Sequence, residues 1–518
     1  MNSFLAALLV VTAVASYALR ILLKRQSRSP LPPGPAGYPV IGNVFGVANH
    51  HLWLMYADWS KTYGSDIVSY ETYGCTTVVL NSHKAATELL EKRSYNYSDR
   101  PRLIMTDELM GWGWDFAHMR YGDWWRRHRK AFHQYFQPRN LPSYYPIQIK
   151  MTLRLLEKLG TAPDNFHEHI RQMVSSVVLH TTYGYEAQAE NDYYIKLVNK
   201  AIPPLLEVVH KTFIVDYFPL LKHVPDWFPG AGFKRKAAAS YKDVMAVPEL
   251  PFHKVKEQMV TGTPQPSFVS DSLHRVMAGN TSVSSDEEEI IKNSAGIMYL
   301  AGSDTTASLL LAWQLAMLHN PDVQKRAQME INKVCGQSRL PDFSDRPLLP
   351  YVEATVLETT RWHAVFPLSL PHRAINEDQY DGYRIPAGAT ITPNAWAILH
   401  DSDLYPEPFR FSPERFLDER QEKVTFKKQP DPTLAGGFGY GRRICPGRHF
   451  AMNTSWIAVA NILATYDLSK ARDAQGSVIE PQIRFKDGLV SHPEPYKIQY
   501  DMRSKDVQKW IESAKLAT

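Results

Sequence analysis

The 518-residue chain sets 58 lysines and arginines against 53 aspartates and glutamates, a formal charge of +5, too small for its length to imply a nucleic-acid partner. Hydrophobic residues make up 44% and aromatic residues 12%, enough for a sizeable core. Cys75, Cys335 and Cys445 give no disulfide framework and fit a reducing compartment.

Met1 to Leu19 carries no charged side chain; Arg20 interrupts, Ile21 to Leu23 continue, and Lys24, Arg25 and Arg28 follow. About twenty apolar residues span a bilayer as a helix. Residues 1–23 therefore read as an N-terminal transmembrane anchor, and the basic residues behind it place the remaining chain in the cytosol. A cleaved signal peptide, with Ala13-Val14-Ala15 at its end, is the rival; it lacks a basic segment before the apolar run. Residues 24–39 are basic and then proline-rich (Pro30 to Pro39), a short rigid hinge. Length alone suggests about three domains, but residues 40–518 contain no linker-like tract or internal repeat and read as one catalytic unit. Three glycosylation sequons start at Asn96, Asn280 and Asn453; in a cytosolic domain they are chance matches.

Ile67 to Tyr73 and Thr76 to Leu80 flank Gly74-Cys75 and read as a hairpin, followed by a helix from Asn81 to Lys92. Arg100 to Asp123 is irregular and apolar, with Leu103, Ile104, Met105, Trp112, Trp114 and Phe116. Asp123 to Phe136 is a cationic helix on which Trp125 and Arg129, four apart, share a face; Arg126, Arg127 and Lys130 face elsewhere. Residues 140–280 are mostly helical. Within them, Val215 to Lys236 is apolar, proline-punctuated and basic at its end, either a core loop or a segment dipping into a membrane interface. A long helix then runs to Asn320, before Pro321, with Ser285-Asp286-Glu287-Glu288 as a capping box. Its middle, Ala301-Gly302-Ser303-Asp304-Thr305-Thr306, places a glycine, a carboxylate and hydroxyls where an apolar helix would avoid them. Pro350 to Trp362 is a helix on which Glu358 and Arg361 pair, and Pro413-Glu414-Arg415-Phe416 follows later. Val365 to Leu370 is apolar and leads to Pro371-His372-Arg373. Gly382 to Pro393 reads as two strands around Pro386-Ala387-Gly388.

The chain is organised around Phe438 to Ala451. Glycines 439, 441 and 447 free the backbone to bend sharply or to admit a flat partner. Cys445 opens a helix, where amide N–H groups and the positive dipole end stabilise a thiolate. A soft thiolate beside a wide slot suits haem iron.

Phe438-Gly439-x-Gly441-x-Arg443-x-Cys445-x-Gly447 resembles the haem-binding loop of the cytochromes P-450, and the remaining motifs fall in that family's order as far as Val490. The resemblance implies a mainly α fold with smaller β sheets (α+β), the cytochrome P-450 fold, preceded by a transmembrane helix. It implies haem b ligated by Cys445, with Phe438 and Gly439 in its loop. Arg443, Trp125, Arg129 and His372 would hold the propionates, with Arg373 as the alternative to His372. Asp304 and Thr305 would deliver protons to dioxygen, and Glu358, Arg361 and Arg415 would form a buried structural triad. The Arg100–Asp123 loop and the Phe485 to Val490 turn would touch substrate. Implied partners are NADPH–cytochrome P-450 reductase, cytochrome b5 and the membrane of the endoplasmic reticulum. The segments around Pro219 to Gly230 and Asp487 to His492 read most like fungal members that oxidise lipophilic secondary metabolites, terpenoid or polyketide. Broad detoxification is the nearest alternative; a peroxide-using haem enzyme and a non-catalytic sterol-like ligand binder are more distant ones.

Overall fold

The computed structural model describes residues 29–48, 50–208, 213–279, 284–336 and 338–517. Its axis is the helix Ser285–His319, 35 residues long and so about 50 Å from end to end. Its start is fixed by reciprocal hydrogen bonds: Ser284 Oγ accepts from Glu287 N–H at 3.3 Å, and the Glu287 carboxylate accepts from Ser284 N–H at 3.4 Å. The sequence expectation put this box one residue later. Both registers offer serine followed three positions on by glutamate, but Ser284 holds the extended backbone a cap needs, with ψ 152°. Asp286, Glu287 and Glu288 complement the helix dipole in its first turn.

From Ile290 to Leu318 this helix is buried on nearly every side. The helices Asp123–Phe136, Phe166–Tyr183, Gly232–Val260, Pro350–Trp362 and Arg448–Thr465 all pack on it. Gly302 sets the closest approach: a Cβ there would stand 2.9 Å from Val178 Cγ2 on the Phe166–Tyr183 helix.

The sheets are small, as expected for this class. Ile67–Thr72 and Cys75–Leu80 form the hairpin, and Cys75–Leu80 pairs in parallel with Thr390–Pro393, which pairs antiparallel with His372–Arg373. Tyr383–Ile385 pairs instead with Asp378–Tyr380, so the two strands around Pro386 to Gly388 belong to different sheets. The expected helix after the hairpin is split, α from His83 to Ala86 and π from Thr87 to Lys92.

The proline-rich run is more than a spacer. Prolines lack an N–H but keep an acceptor carbonyl. Those of Pro32 and Pro33 accept from Ser69 Oγ and Ser69 N–H at 2.6 and 2.9 Å, and that of Pro30 accepts from Arg384 N–H at 2.8 Å. The expected anchor, residues 1–23, lies outside the described residues, among which no helix is long and apolar enough to cross a membrane.

Glu358 and Arg361 are fully buried and bidentate at 2.8 and 2.9 Å, and Arg415 Nε joins Glu358 at 3.1 Å. Ser412 N–H donates to the same carboxylate, and Arg361 also donates to the Leu399 carbonyl. The triad thus ties the Pro350–Trp362 helix to the segment carrying Arg415. Two of the three sequon asparagines are interior: Asn96 donates to the Asn376 carbonyl, and Asn453 accepts from Arg346. Asn280 lies outside the described residues.

Candidate functional site: a cysteine loop facing a polar break in the central helix

The loop that presents Cys445 is bent by Gly439 and Gly441, with φ of 77° and 54°. At Gly441 the demand is absolute, because a Cβ would lie 2.1 Å from the Leu90 carbonyl oxygen. Gly447 has an ordinary φ of −91°, and a Cβ there would meet only Phe132 Cζ at 3.9 Å, so neither the bend nor packing within the chain demands a glycine at this position. Cys445 N–H donates to the Phe438 carbonyl at 2.8 Å and closes the loop. The Arg448–Thr465 helix starts three residues after the cysteine. Burial pushes the Cys445 thiol up, while the Gly447 and Arg448 amides and the Arg129 and Arg448 guanidiniums pull it back toward the thiolate.

Around the loop lies a group of cations. Trp125 is buried, and its indole N–H has no partner among the described residues. One turn on, Arg129 makes no hydrogen bond or ion pair among the described residues; burial and then neighbouring Arg448 weaken its hold on the proton, against the pull of Cys445. Arg443 lies over the Trp125 ring at 4.2 Å and donates to the carbonyls of Ser98 and Met119 at 2.8 and 2.7 Å. Burial and the neighbouring Arg100 bring it down to about 8. His372 is buried and donates from Nδ1 to the Tyr97 carbonyl at 2.7 Å; burial and Arg100 keep it neutral. The alternative, Arg373, is committed to Asp99 at 3.1 Å, as is Arg120 at 2.8 Å.

Arg100 itself was not anticipated. It is buried, donates to the carbonyls of Ala117, Leu370 and Pro371, and is lowered to about 10 by burial. Its nearby carboxylate, Asp115, is engaged by His118 at 2.7 Å. Three buried or half-buried arginines therefore converge, and none forms an ion pair among the described residues. Such a site is built for a carboxylate or phosphate that arrives from outside the chain.

On the central helix, Ala301 is exposed and Gly302 and Thr305 are half-buried in an otherwise buried stretch, and Ala301 and Thr305, four residues apart, share a face. The helix thus has one open face at its middle. Thr305 Oγ1 donates to the Ala301 carbonyl at 3.0 Å, so the hydroxyl is satisfied within the helix yet stays on the open face. Asp304 points the other way and is buried. Its Oδ2 meets His492 Nε2 at 2.9 Å, and its Oδ1 lies 3.6 Å from Arg171. Burial alone would raise its pKa; the His492 bond and the two cationic partners outweigh that and hold the carboxylate below its usual range.

The irregular 100–123 segment folds into short turns with Ile104, Met105, Trp112, Trp114 and Phe116 buried. Trp114 fits against the central helix because Gly296 has no side chain: a Cβ there would meet its ring at 2.9 Å. Ile297 and Leu300 are buried one helical turn before the open face. The Phe485 to Val490 turn is held to the same helix through its neighbour Ser491, whose carbonyl accepts from Ser308 Oγ at 2.5 Å and lies 3.0 Å from His363 Nε2.

An anion-seeking cation group, a thiol at a helix start and an open face with a hydroxyl fit a flat dianionic metal-bearing cofactor. The comparisons agree. A family model described as cytochrome P-450 matches residues 32–500. A cytochrome P-450 monooxygenase of Armillaria gallica is 41% identical over 497 residues, 94% of each chain. The tryptamine 4-monooxygenase of Psilocybe cyanescens is 36% identical, covering 97% of this chain and 99% of its own. The cytochrome P-450 monooxygenase eriA of Hericium erinaceus is 37% identical, covering 97% and 94%.

Proposed function

The chain belongs to the cytochrome P-450 family and is a haem-thiolate monooxygenase, and from that premise we propose that Cys445 is the iron ligand of an enzyme that oxygenates a lipophilic small molecule in fungal secondary metabolism. The haem supplies the activation of dioxygen, which thiolate ligation favours; the protein supplies binding, orientation and protons.

The Gly447 and Arg448 amides stabilise the Cys445 thiolate. The Trp125 N–H would donate a hydrogen bond to a propionate, and the Arg129 and Arg443 guanidiniums would neutralise the propionate charge. His372, whose Nδ1–H is committed to the Tyr97 carbonyl, can serve a carboxylate only through a proton taken up at Nε2. The single observation that carries this assignment is the pair of donors without an anion, Trp125 Nε1 and Arg129. Thr305 offers a hydroxyl on the open face, and Asp304 one residue away brings protons to it. Trp112, Phe116, Ile297 and Leu300 exclude water around an apolar substrate. The tryptamine 4-monooxygenase and eriA relatives support a biosynthetic role over broad detoxification.

NADPH–cytochrome P-450 reductase, with cytochrome b5 as a second donor, supplies electrons. Arg126, Arg127 and Lys130 are solvent-facing cations on the Trp125 helix, placed to meet an acidic partner. A second surface suits a membrane: Phe218, Leu220 (84% exposed), Trp227 (80%) and Phe228 lie on one segment, and Val40 (90%) and Phe45 on another. Tyr73 links the two, packing on Tyr217 and Phe218 while its N–H donates to the Ile41 carbonyl at 3.2 Å. This face would rest on the endoplasmic reticulum beside an anchor in residues 1–23, with the catalytic domain in the cytosol.

Two substitutions test the assignment. Cys445→Ala is expected to abolish the thiolate signature in the carbon monoxide difference spectrum; a retained signature refutes the ligand. Thr305→Ala is expected to keep that signature while diverting NADPH to hydrogen peroxide; unchanged coupling of NADPH use to product refutes its role. For the substrate, untargeted mass spectrometry of strains with and without the gene decides. Accumulation of a less oxygenated lipophilic compound supports biosynthesis. No accumulation, with reconstituted enzyme oxidising many unrelated compounds, supports detoxification.

A further inference from the structure

Asp304 has two basic partners of different kinds. Arg171 is a fixed cation that does not release protons. His492 can both take and give one. The two imidazole nitrogens of His492 have different surroundings. Nε2 is 2.9 Å from Asp304 Oδ2; Nδ1 is buried and has no partner among the described residues. On the neighbouring Phe166–Tyr183 helix, His167 Nε2 is a second buried ring nitrogen with no partner among the described residues. Burial first, then the charges of Arg171, Lys486 and His492, bring His167 down to about 4. A buried ring nitrogen without a protein partner is commonly satisfied by an ordered water. His167 is partly exposed and Lys486, six residues before His492, is exposed.

The backbone fixes this arrangement. Ser308 Oγ and His363 Nε2 both meet the Ser491 carbonyl, and Lys486 N–H donates to the His492 carbonyl at 2.7 Å. Burial and the neighbouring His492 lower His363 to about 3, so it stays neutral.

Resting on the assignment of Asp304 and Thr305 above, we propose that His492 is the positioning residue that reloads Asp304 with protons, receiving them from an ordered water at its buried, unpartnered Nδ1. In each transfer the water first gives a proton to Nδ1, forming an N–H bond there; the N–H bond at Nε2 then breaks as the O–H bond at Asp304 Oδ2 forms, leaving a neutral ring, and the water draws its replacement proton from solvent. A ring flip then returns the protonated nitrogen to Asp304. Asp304 gives its proton toward the Thr305 hydroxyl and becomes a carboxylate again, held by Arg171 until the next transfer.

The test uses the haem-loaded full chain with reductase and compares His492→Gln, His492→Ala, Asp304→Asn and the Asp304→Asn/His492→Gln double variant. Glutamine can still donate a hydrogen bond to Asp304 but cannot pass a proton through. His492→Gln is expected to keep the thiolate spectrum, to lose coupling several-fold with matching peroxide release, and to show a larger solvent deuterium isotope effect. The double variant is expected to be no less coupled than Asp304→Asn alone. Added imidazole is expected to restore part of the coupling of His492→Ala. A readout independent of turnover is the thermal unfolding cycle over the unsubstituted chain, His492→Gln, Asp304→Asn and their double variant, in which the two single losses must be non-additive. Wild-type coupling and isotope effect in His492→Gln, with Asp304→Asn uncoupled, overturns the relay and leaves the Asp304 assignment standing. Wild-type coupling in Asp304→Asn overturns both. Uncoupling in His492→Gln without a changed isotope effect or imidazole rescue makes His492 structural and also overturns the relay.

Discussion

The Asp304 cluster and the arginine group beside the cysteine loop are charged for opposite reasons. Beside the helix break, the Asp304 carboxylate is matched within the chain by His492 and Arg171. Beside the cysteine loop, Arg100, Arg129 and Arg443 crowd together while the carboxylates near them, Asp99 and Asp115, are engaged by Arg120, Arg373 and His118. The first region is electrostatically complete as translated. The second would be completed, on the proposed assignment, by the two carboxylates of a bound haem. A resident proton route needs its charges paired before any ligand arrives; a cofactor site keeps its pairing capacity open, and that open capacity gives selective affinity.

The sharpest way to break the contrast is at the third charged cluster, which is closed like the Asp304 side but structural. Glu358→Ala leaves Arg361 and Arg415 without their anion, which should cost about 3–5 kcal/mol and prevent accumulation of folded protein. Normal stability by chemical denaturation would show that the triad is not what joins these segments. Next in size is the open side. On the proposed assignment Arg129→Leu removes a haem-propionate donor that makes no ion pair among the described residues, so it should leave the stability of haem-free protein nearly unchanged while speeding haem loss roughly tenfold or more, about 1.5–3 kcal/mol for a charge-assisted bond. Equal destabilisation of both forms would erase the distinction between the two sides. Trp125→Phe should act the same way but less, by about 1 kcal/mol. The smallest effect is a pH signature on the closed side. Asp304 is held below its ordinary pKa in the folded chain, by His492 and Arg171 against the opposing effect of burial. Its stabilisation is therefore full above the unfolded carboxylate value of about 3.9 and is lost as pH falls through the lower folded value. Asp304→Asn lacks this loss, so its unfolding midpoint should close on that of the unsubstituted chain in acid; parallel curves would refute the depressed carboxylate.

Local motifs made much of this legible beforehand. The glycines around Cys445, the four-residue spacing of Trp125 and Arg129, and the Glu358–Arg361 pair each sit within one turn or helix, where spacing dictates geometry. The central helix was visible for the same reason, and its cap slipped by one residue because Ser284 and Ser285 offer the same pattern. What was hidden was tertiary pairing. His492 meets Asp304 across 188 positions of sequence, and Arg100 reaches the Leu370 carbonyl across 270. No spacing rule connects such residues. The proline-rich run was misjudged as a plain spacer for a related reason: its rigidity is local, but its carbonyls are used by Ser69 and Arg384 elsewhere in the fold.

The interior placement of Asn96 and Asn453 makes these sequons a built-in reporter of mistargeting. Oligosaccharide is transferred to them only in a chain that sits on the lumenal side and has not yet closed around these asparagines. On the proposed cytosolic orientation, endoglycosidase-sensitive mass on either peptide in a eukaryotic expression host would measure the fraction of chains that crossed the membrane unfolded, and selecting strains without that mass would enrich chains of that orientation before any activity is assayed.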